Sequence, residues 1–291
     1  MIISIASGKG GTGKTTVAVN LALSLQNVQF LDCDVEEPNA HIFLKPKISG
    51  EKKAVIPVPE INEAKCDYCG KCREVCAYHA IAVLPASDGK RGSVLVFPHL
   101  CHGCGACSLL CPKGAIKEID KEIGAIEIGE KEKMQFVHGR LNVGEAMSPP
   151  VIRQVKKHIN SSKTVIIDAP PGTSCPVITA VKGSDFCVLV TEPTPFGLND
   201  LILAVEVLRK IEIPFGVVIN RADIGDGKVE DYCEKENIPI LMKTPFDKEI
   251  AVSYSEGLPI IEGDAAYQDK FFNLYLNICG IKNEADSCRK R

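Results

Sequence analysis

The chain has 291 residues, of which 45% are hydrophobic and 24% charged, with a formal net charge of -3. These values describe an ordinary globular protein of about two domains, and the slightly acidic balance argues against a general nucleic-acid or membrane-surface binder. No apolar run is long enough to span a membrane. No basic segment precedes the first apolar run, as a secretory signal requires, so a cytoplasmic protein is expected. The outlier is fourteen cysteines, eight of them in two tight groups. In a reducing compartment such grouping points to metal rather than disulfides.

Met1 to Ala6 is an apolar run of strand length. It leads into Ser7-Gly8-Lys9-Gly10-Gly11-Thr12-Gly13-Lys14-Thr15-Thr16, which fits G-x-x-x-x-G-K-[ST]. Val17, Leu21 and Leu25 follow at helical spacing. Strand, Gly-rich turn and helix together make a phosphate cradle of backbone N–H groups at a positive helix end. Lys14 is expected to reach the β- and γ-phosphates of ATP, and the Thr15 hydroxyl to ligate Mg²⁺.

Lys9 is a second lysine inside the loop that the ordinary motif does not need. With it the chain resembles the deviant Walker A family of P-loop ATPases, which includes MinD, ParA, the nitrogenase iron protein and the Mrp-type iron–sulfur carriers. The resemblance implies that Lys9 reaches across a nucleotide-sandwich dimer to the partner's phosphates.

Val28 to Leu31 reads as the second strand, ending in Asp32-Cys33-Asp34. A carboxylate at a strand end lies beside the phosphate site in a doubly wound sheet. The resemblance puts Asp34 in the first switch, positioning the attacking water, and Asp32 nearer the Mg²⁺ shell; either also reads as a solvated acid or a helix cap. Cys33 is expected in the core. Pro38-Asn39 opens a segment leading to Lys45-Pro46-Lys47, and Val55 to Pro59 reads as extended.

From Cys66 the spacing is Cys66-x-x-Cys69-x-x-Cys72-x-x-x-Cys76; from Cys101 it repeats as Cys101-x-x-Cys104-x-x-Cys107-x-x-x-Cys111-Pro112. This is the bacterial ferredoxin run, in which three thiolates wrap one cluster and the fourth ligates the other. The expected ligands are Cys66, Cys69, Cys72 and Cys111 for one [4Fe–4S] cluster, and Cys101, Cys104, Cys107 and Cys76 for the second. Ala77 stands where the ferredoxin proline is usual. A pair of zinc sites is the competing reading. Ala80-Ile81 and Ala115-Ile116 repeat at matched offsets. The resemblance to two-cluster ferredoxins covers about Ala64 to Glu118.

Ala125 to Ile128 and Phe136 to Arg140 alternate like hairpin strands, and Pro149-Pro150 opens a helix. Thr164 to Asp168 is a buried strand ending in an acid, read as a Walker B with Asp168 holding Mg²⁺ through water. Asp168-Ala169-Pro170-Pro171-Gly172 resembles the second switch of the Mrp and iron-protein families. Cys175 follows at a helix start, where it reads as a small buried thiol ahead of one that contacts a cluster.

Further strands are expected at Phe186–Thr191, Pro214–Ile219 and Pro239–Met242, with helices over Leu198–Ile211 and Asp264–Ile278. Leu258 to Ile261 is a short apolar stretch, and the tail Cys288 to Arg291 is expected to fray. The resemblance makes Asn220 the reader of the adenine edge and Thr244-Pro245-Phe246-Asp247 the second adenine-side loop. Asn220 also reads as a strand-end cap. Cys187, Cys233, Cys279 and Cys288 read as core or surface thiols. No C-x-x-C follows the second switch, so the labile-cluster pair of Mrp-type carriers does not carry over.

The expected architecture is a doubly wound, mostly parallel α/β sheet with an inserted small α+β ferredoxin-type module. Its parts are residues 1–61 and 121–291 for the ATPase and 62–120 for the insert. Nearly the full length resembles MinD-superfamily ATPases carrying such an insert. The implied function is Mg²⁺–ATP hydrolysis in a homodimer, or a heterodimer with a related ATPase, gating electrons through the clusters to a redox or metalloprotein partner. Cluster or metal-cofactor maturation is the alternative. A positioning module like MinD or ParA is a third reading, disfavoured by the short tail and the charge.

Overall fold

The computed structural model describes residues 1–87 and 91–289. The chain opens with β1 (Ile2–Ala6), α1 (Lys14–Leu23), β2 (Val28–Asp32), α2 (Ala40–Leu44) and β3 (Lys47–Ile61). The cysteine-rich stretch follows with α3 (Lys71–Glu74), β4 (Ile81–Leu84), β5 (Ser93–Val96) and α4 (Ala106–Leu109). Then come β6 (Ile116–Lys131), β7 (Met134–Leu141), α5 (Pro149–Lys156), β8 (Thr164–Asp168), α6 (Cys175–Val181), β9 (Phe186–Thr191) and α7 (Pro195–Lys210). The last elements are β10 (Phe215–Asn220), α8 (Lys228–Lys235), β11 (Ile240–Thr244), α9 (Lys248–Ser255), α10 (Ile260–Gly263) and α11 (Ala266–Arg289).

Nine strands form one sheet in the order β11-β10-β9-β1-β8-β2-β7-β6-β3. From β11 to β7 every pairing is parallel; β6 is antiparallel to both β7 and β3. The parallel strands read as continuous apolar runs because helices cover both faces. Alternate residues enter opposite layers: Ile166 packs with Ile3, Ile5 and Phe30 on one face, while Val165 and Ile167 pack with Leu31 and Val137 on the other. This is the α/β class expected, and it brings the ends of β1, β2, β8 and β10 to a common carboxyl edge.

The strand expected over Val55–Pro59 runs from Lys47 to Ile61 and pairs with β6 from Lys47↔Glu130 to Ile61↔Ile116. Its charged residues and prolines are compatible with a strand because β3 is the edge of the sheet, where missing N–H donors face no neighbour. The cysteine-rich segment hangs between the far ends of this ribbon, and β4 and β5 form a separate two-stranded sheet within it. Other elements also differ in extent from expectation, among them β6, which runs from Ile116 to Lys131. α7 starts at Pro195, where Thr194 caps it by accepting from Gly197 N; Ile260–Gly263 is a short helix; and α11 continues to Arg289. Lys290 and Arg291, expected to fray, and the side chain of Cys288 lie outside the described residues.

Candidate nucleotide site and cysteine-lined cavities

Gly11 and Gly13 take φ values of 80° and 90°, the left-handed region open to glycine, and so turn the loop from β1 into α1. A Cβ on Gly13 would lie 2.5 Å from Asn220 Nδ2. Lys14 and Thr15, the first residues of α1, are buried. Lys14 Nζ donates to Asp168 Oδ1 at 2.6 Å and lies 3.4 Å from Asp34 Oδ2; Thr15 Oγ1 donates to Asp168 Oδ2 at 2.6 Å. The loop is tied to the segment after β8 by Gly172 N donating to Ser7 O at 2.9 Å. Lys14, Thr15, Asp34 and Asp168 thus meet at one point.

The electrostatics of this point follow from burial. Burial opposes the charge on Lys14, but Asp168, Asp34 and Asp32 outweigh it and raise its pKa. The Asp34 carboxyl is pushed up to about 6 by burial and by Asp168, with Lys14 opposing. Burial and the Asp168 charge also drive Asp32 well above the carboxylate range. Asp32 accepts from Asp34 N and Ala40 N, each at 3.1 Å. It organises the loop carrying Asp34 and the start of α2.

A cavity of about 350 Å³ runs from this cluster along the carboxyl edge. Gly10, Gly11, Gly13 and Thr16 line it together with Asn220, Pro245 and Phe246. Asn220 spends its amide on protein: Nδ2 donates to Thr12 O at 2.9 Å, and Oδ1 accepts from Thr244 Oγ1 at 2.7 Å. It braces the phosphate loop against β11. The buried Asn39 amide oxygen on the cavity wall has no protein partner.

Lys9 lies apart from that cluster. Its Nζ is 3.7 Å from Glu192 Oε2, at the end of β9. Glu192 Oε1 accepts from Arg221 Nη1 at 2.7 Å, and that guanidinium sits 6.0 Å over the Phe246 ring. Glu192, Arg221 and Asp223, which accepts from Phe246 N at 2.5 Å, carry no signal in the sequence. Their roles come from tertiary proximity alone.

The eight grouped cysteines line two further cavities. Cys66, Cys69, Cys72 and Cys111 line one; Cys76, Cys101, Cys104 and Cys107 line the other. Each quartet draws its fourth thiol from the other half of the repeat. The halves match locally: Gly70 and Gly105 open α3 and α4 with φ of 82° and 75°. Ala80 N donates to Cys76 Sγ at 3.2 Å and Ala115 N to Cys111 Sγ at 3.3 Å. Among the described residues no three His, Cys, Asp or Glu side chains converge as a single metal ion requires. The second cavity abuts the sheet ribbon through Pro57, Pro59 and Glu118. Cys101 packs into the same apolar cluster as Ala54, Ile56 and Val58.

Cys33, Cys187 and Cys233 are buried and Cys279 is half-buried. Cys175 is exposed, not buried as expected, because α6 turns Val177, Ala180 and Val181 inward and leaves its first residue on the outer side. Among the described residues no helix is long and apolar enough to cross a membrane.

A family model described as the CobQ/CobB/MinD/ParA nucleotide binding domain matches residues 3–260. An uncharacterized protein of Methanocaldococcus jannaschii is 32% identical over 269 residues, covering 88% of this chain and 90% of that one. An iron–sulfur cluster carrier protein of Pyrococcus abyssi is 26% identical, covering 89% of this chain and 78% of that one. Among solved structures, the cell division ATPase MinD of Pyrococcus furiosus superposes with a TM-score of 0.59 at 21% identity, covering 96% and 98% of the two chains. With a phosphate loop, a strand-end acid and a carboxyl-edge cavity on a mostly parallel sheet, the chain belongs to the CobQ/CobB/MinD/ParA nucleotide-binding family and is a P-loop ATPase.

Proposed function

We propose that this protein is an iron–sulfur ATPase in which Mg²⁺–ATP hydrolysis in a dimer gates electron transfer through two [4Fe–4S] clusters to a redox partner. The observation that carries the reading is the pair of four-cysteine cavities attached to the nucleotide-binding sheet by β3 and β6. Thiols ranged around a cavity suit a multi-atom cluster, whereas zinc draws its four ligands to one point. Cys66, Cys69, Cys72 and Cys111 would hold one cluster; Cys101, Cys104, Cys107 and Cys76 would hold the other. Bound there, such clusters supply one-electron transfer.

At the nucleotide site, Lys14 and the N–H groups of Gly8, Gly10, Gly11, Thr12, Gly13, Thr15 and Thr16 would bind phosphate. Thr15 and Asp168, which share a hydrogen bond, would hold Mg²⁺, freeing Lys14 from Asp168 for the phosphates. Asp34 would orient the attacking water. The adenine would lie between Pro245 and Phe246, in the part of the cavity that they share with Asn220. Because Gly172 N is bonded to Ser7 O, a change at the γ-phosphate would be felt in the loop after β8. Lys9 would reach the phosphates of the partner subunit.

A second reading, delivery or assembly of clusters, is favoured by the likeness to the Pyrococcus carrier proteins over most of this chain. Anaerobic incubation with an apo-ferredoxin and Mg²⁺–ATP separates the two. Iron that stays on the chain while electrons pass in an ATP-dependent way supports gating. ATP-dependent transfer of the iron itself replaces gating with carriage.

A further inference from the structure

The acid at the end of β9 has no place in the mechanism above, yet it is 7% exposed and holds two cations. Its neighbours fix where it points. Gly197 packs directly on the Glu192 carbonyl, and Thr194 N donates to that carbonyl at 2.8 Å. The turn leading into α7 is therefore tight, and the carboxylate has little freedom to leave. Oε2 faces Lys9 and Oε1 faces Arg221. Lys9 has more freedom: its side chain is 31% exposed, and its loop has open space at Gly10 and Gly11.

We infer that Glu192 is a positioning residue that tethers Lys9 to its own subunit, so that dimer closure requires phosphate to displace a carboxylate. The inference rests on the reading of Lys9 as the lysine that crosses between subunits. A phosphate offers Lys9 a stronger, doubly charged partner than one carboxylate. The exchange is therefore favourable when nucleotide is bound opposite and unfavourable without it. The same carboxylate anchors Arg221, whose guanidinium lies over Phe246. The base end of the cavity and the crossing lysine thus share one counter-charge.

The test uses the full chain purified anaerobically, with Mg²⁺ and a non-hydrolysable ATP analogue titrated against dimer formation in sedimentation velocity. Glu192→Gln keeps the shape and the Arg221 contact but removes the charge. It is expected to lower the half-dimerising analogue concentration about threefold, the scale of a partly exposed ion pair. Glu192→Asp, which keeps the charge, is expected to stay near wild type, and thermal unfolding checks that both variants fold. Lys9→Ala is expected to abolish dimerisation, and the double variant Lys9→Ala/Glu192→Gln to show no gain over Lys9→Ala. An unchanged or raised midpoint in Glu192→Gln, with Lys9→Ala still inactive in dimerisation, would overturn the tether while leaving Lys9 as the crossing residue. Wild-type dimerisation of Lys9→Ala would overturn the crossing reading itself, and the tether with it.

Discussion

At the carboxyl edge of the sheet, Lys14, Thr15, Asp34 and Asp168 are buried and satisfy one another at 2.6–3.4 Å. In the cysteine-rich segment the thiols face cavities, and their partners are backbone N–H groups such as those of Tyr68, Ala80 and Ala115. The first region stands on two apolar layers; the second buries Ala80, Ile81, Val83, Cys101 and Ala115 and little else that is hydrophobic. Its two helices are four residues long and bury no side chain. A segment that small cannot be held by its own core, and metal ligation is a usual remedy. The contrast teaches that the nucleotide site is organised by the fold, whereas the cysteine segment, on the proposed reading, would draw much of its order from the clusters its thiols hold.

The largest expected effect separates the two regions outright. Lys14→Ala is expected to cut ATP hydrolysis about 100-fold or more, by removing the charge that meets the phosphates, with iron content unchanged. Coupled phosphate release and iron analysis on the same sample check it; a parallel loss of iron would show that the regions are not independent.

Next in size are the crossed cysteines. Cys111→Ala should remove the cluster of the first cavity, and Cys76→Ala that of the second, each leaving about four irons per chain. EPR of the reduced variants should then show two different single-cluster spectra. Limited proteolysis should find new cuts between residues 62 and 115 while the sheet stays resistant. If Cys111→Ala instead depletes the cluster held by Cys101, Cys104 and Cys107, the crossed ligation is wrong.

A smaller effect sharpens the claim that the sheet preorganises its site. Asn220→Ala removes the bonds to Thr12 O and from Thr244 Oγ1. Binding of a fluorescent ADP is expected to weaken about tenfold, the scale of lost buried hydrogen bonds, without change in iron.

A change in stability rather than in binding concerns Asp34. Its folded pKa of about 6 lies above the ordinary 3.8, so folding disfavours its ionised form. Stability from this group is present at low pH, falls as pH rises from about 4 to about 6, and is flat above. In nucleotide-free protein, Asp34→Asn should therefore gain on wild type by about 2 kcal/mol between pH 4 and pH 7, read from urea midpoints. A constant difference across that range would contradict the burial argument.

How much of this was legible in the sequence depended on locality. The phosphate loop, its strand and its helix lie within one stretch and follow from glycine geometry and apolar spacing. The parallel sheet follows from apolar runs alternating with helices. The two cysteine groups were readable because the repeat fixes their spacing, while the crossed quartets, which line the two cavities, came from the ferredoxin resemblance. β3 was only partly legible: its charges and prolines disguise a strand that sits at a sheet edge. Cys175 was misjudged because a free cysteine at a helix start is ordinarily a small buried thiol, while helix phase turned it outward. Glu192 and Arg221 were invisible, being brought to Lys9 only by the order of β9, β10 and β1. Asn220 was expected to read the adenine edge or to cap a strand; its bracing of the loop was not legible, since its contacts with Thr12 and Thr244 exist only in three dimensions.

The most direct test of the central claim is made on anaerobically purified protein: iron, sulfide and zinc per chain, then EPR of the reduced sample with and without Mg²⁺–ATP. The account predicts about eight irons and eight sulfides, with spectra that shift when nucleotide binds. Zinc in place of iron, or iron whose spectrum ignores the nucleotide, would contradict it.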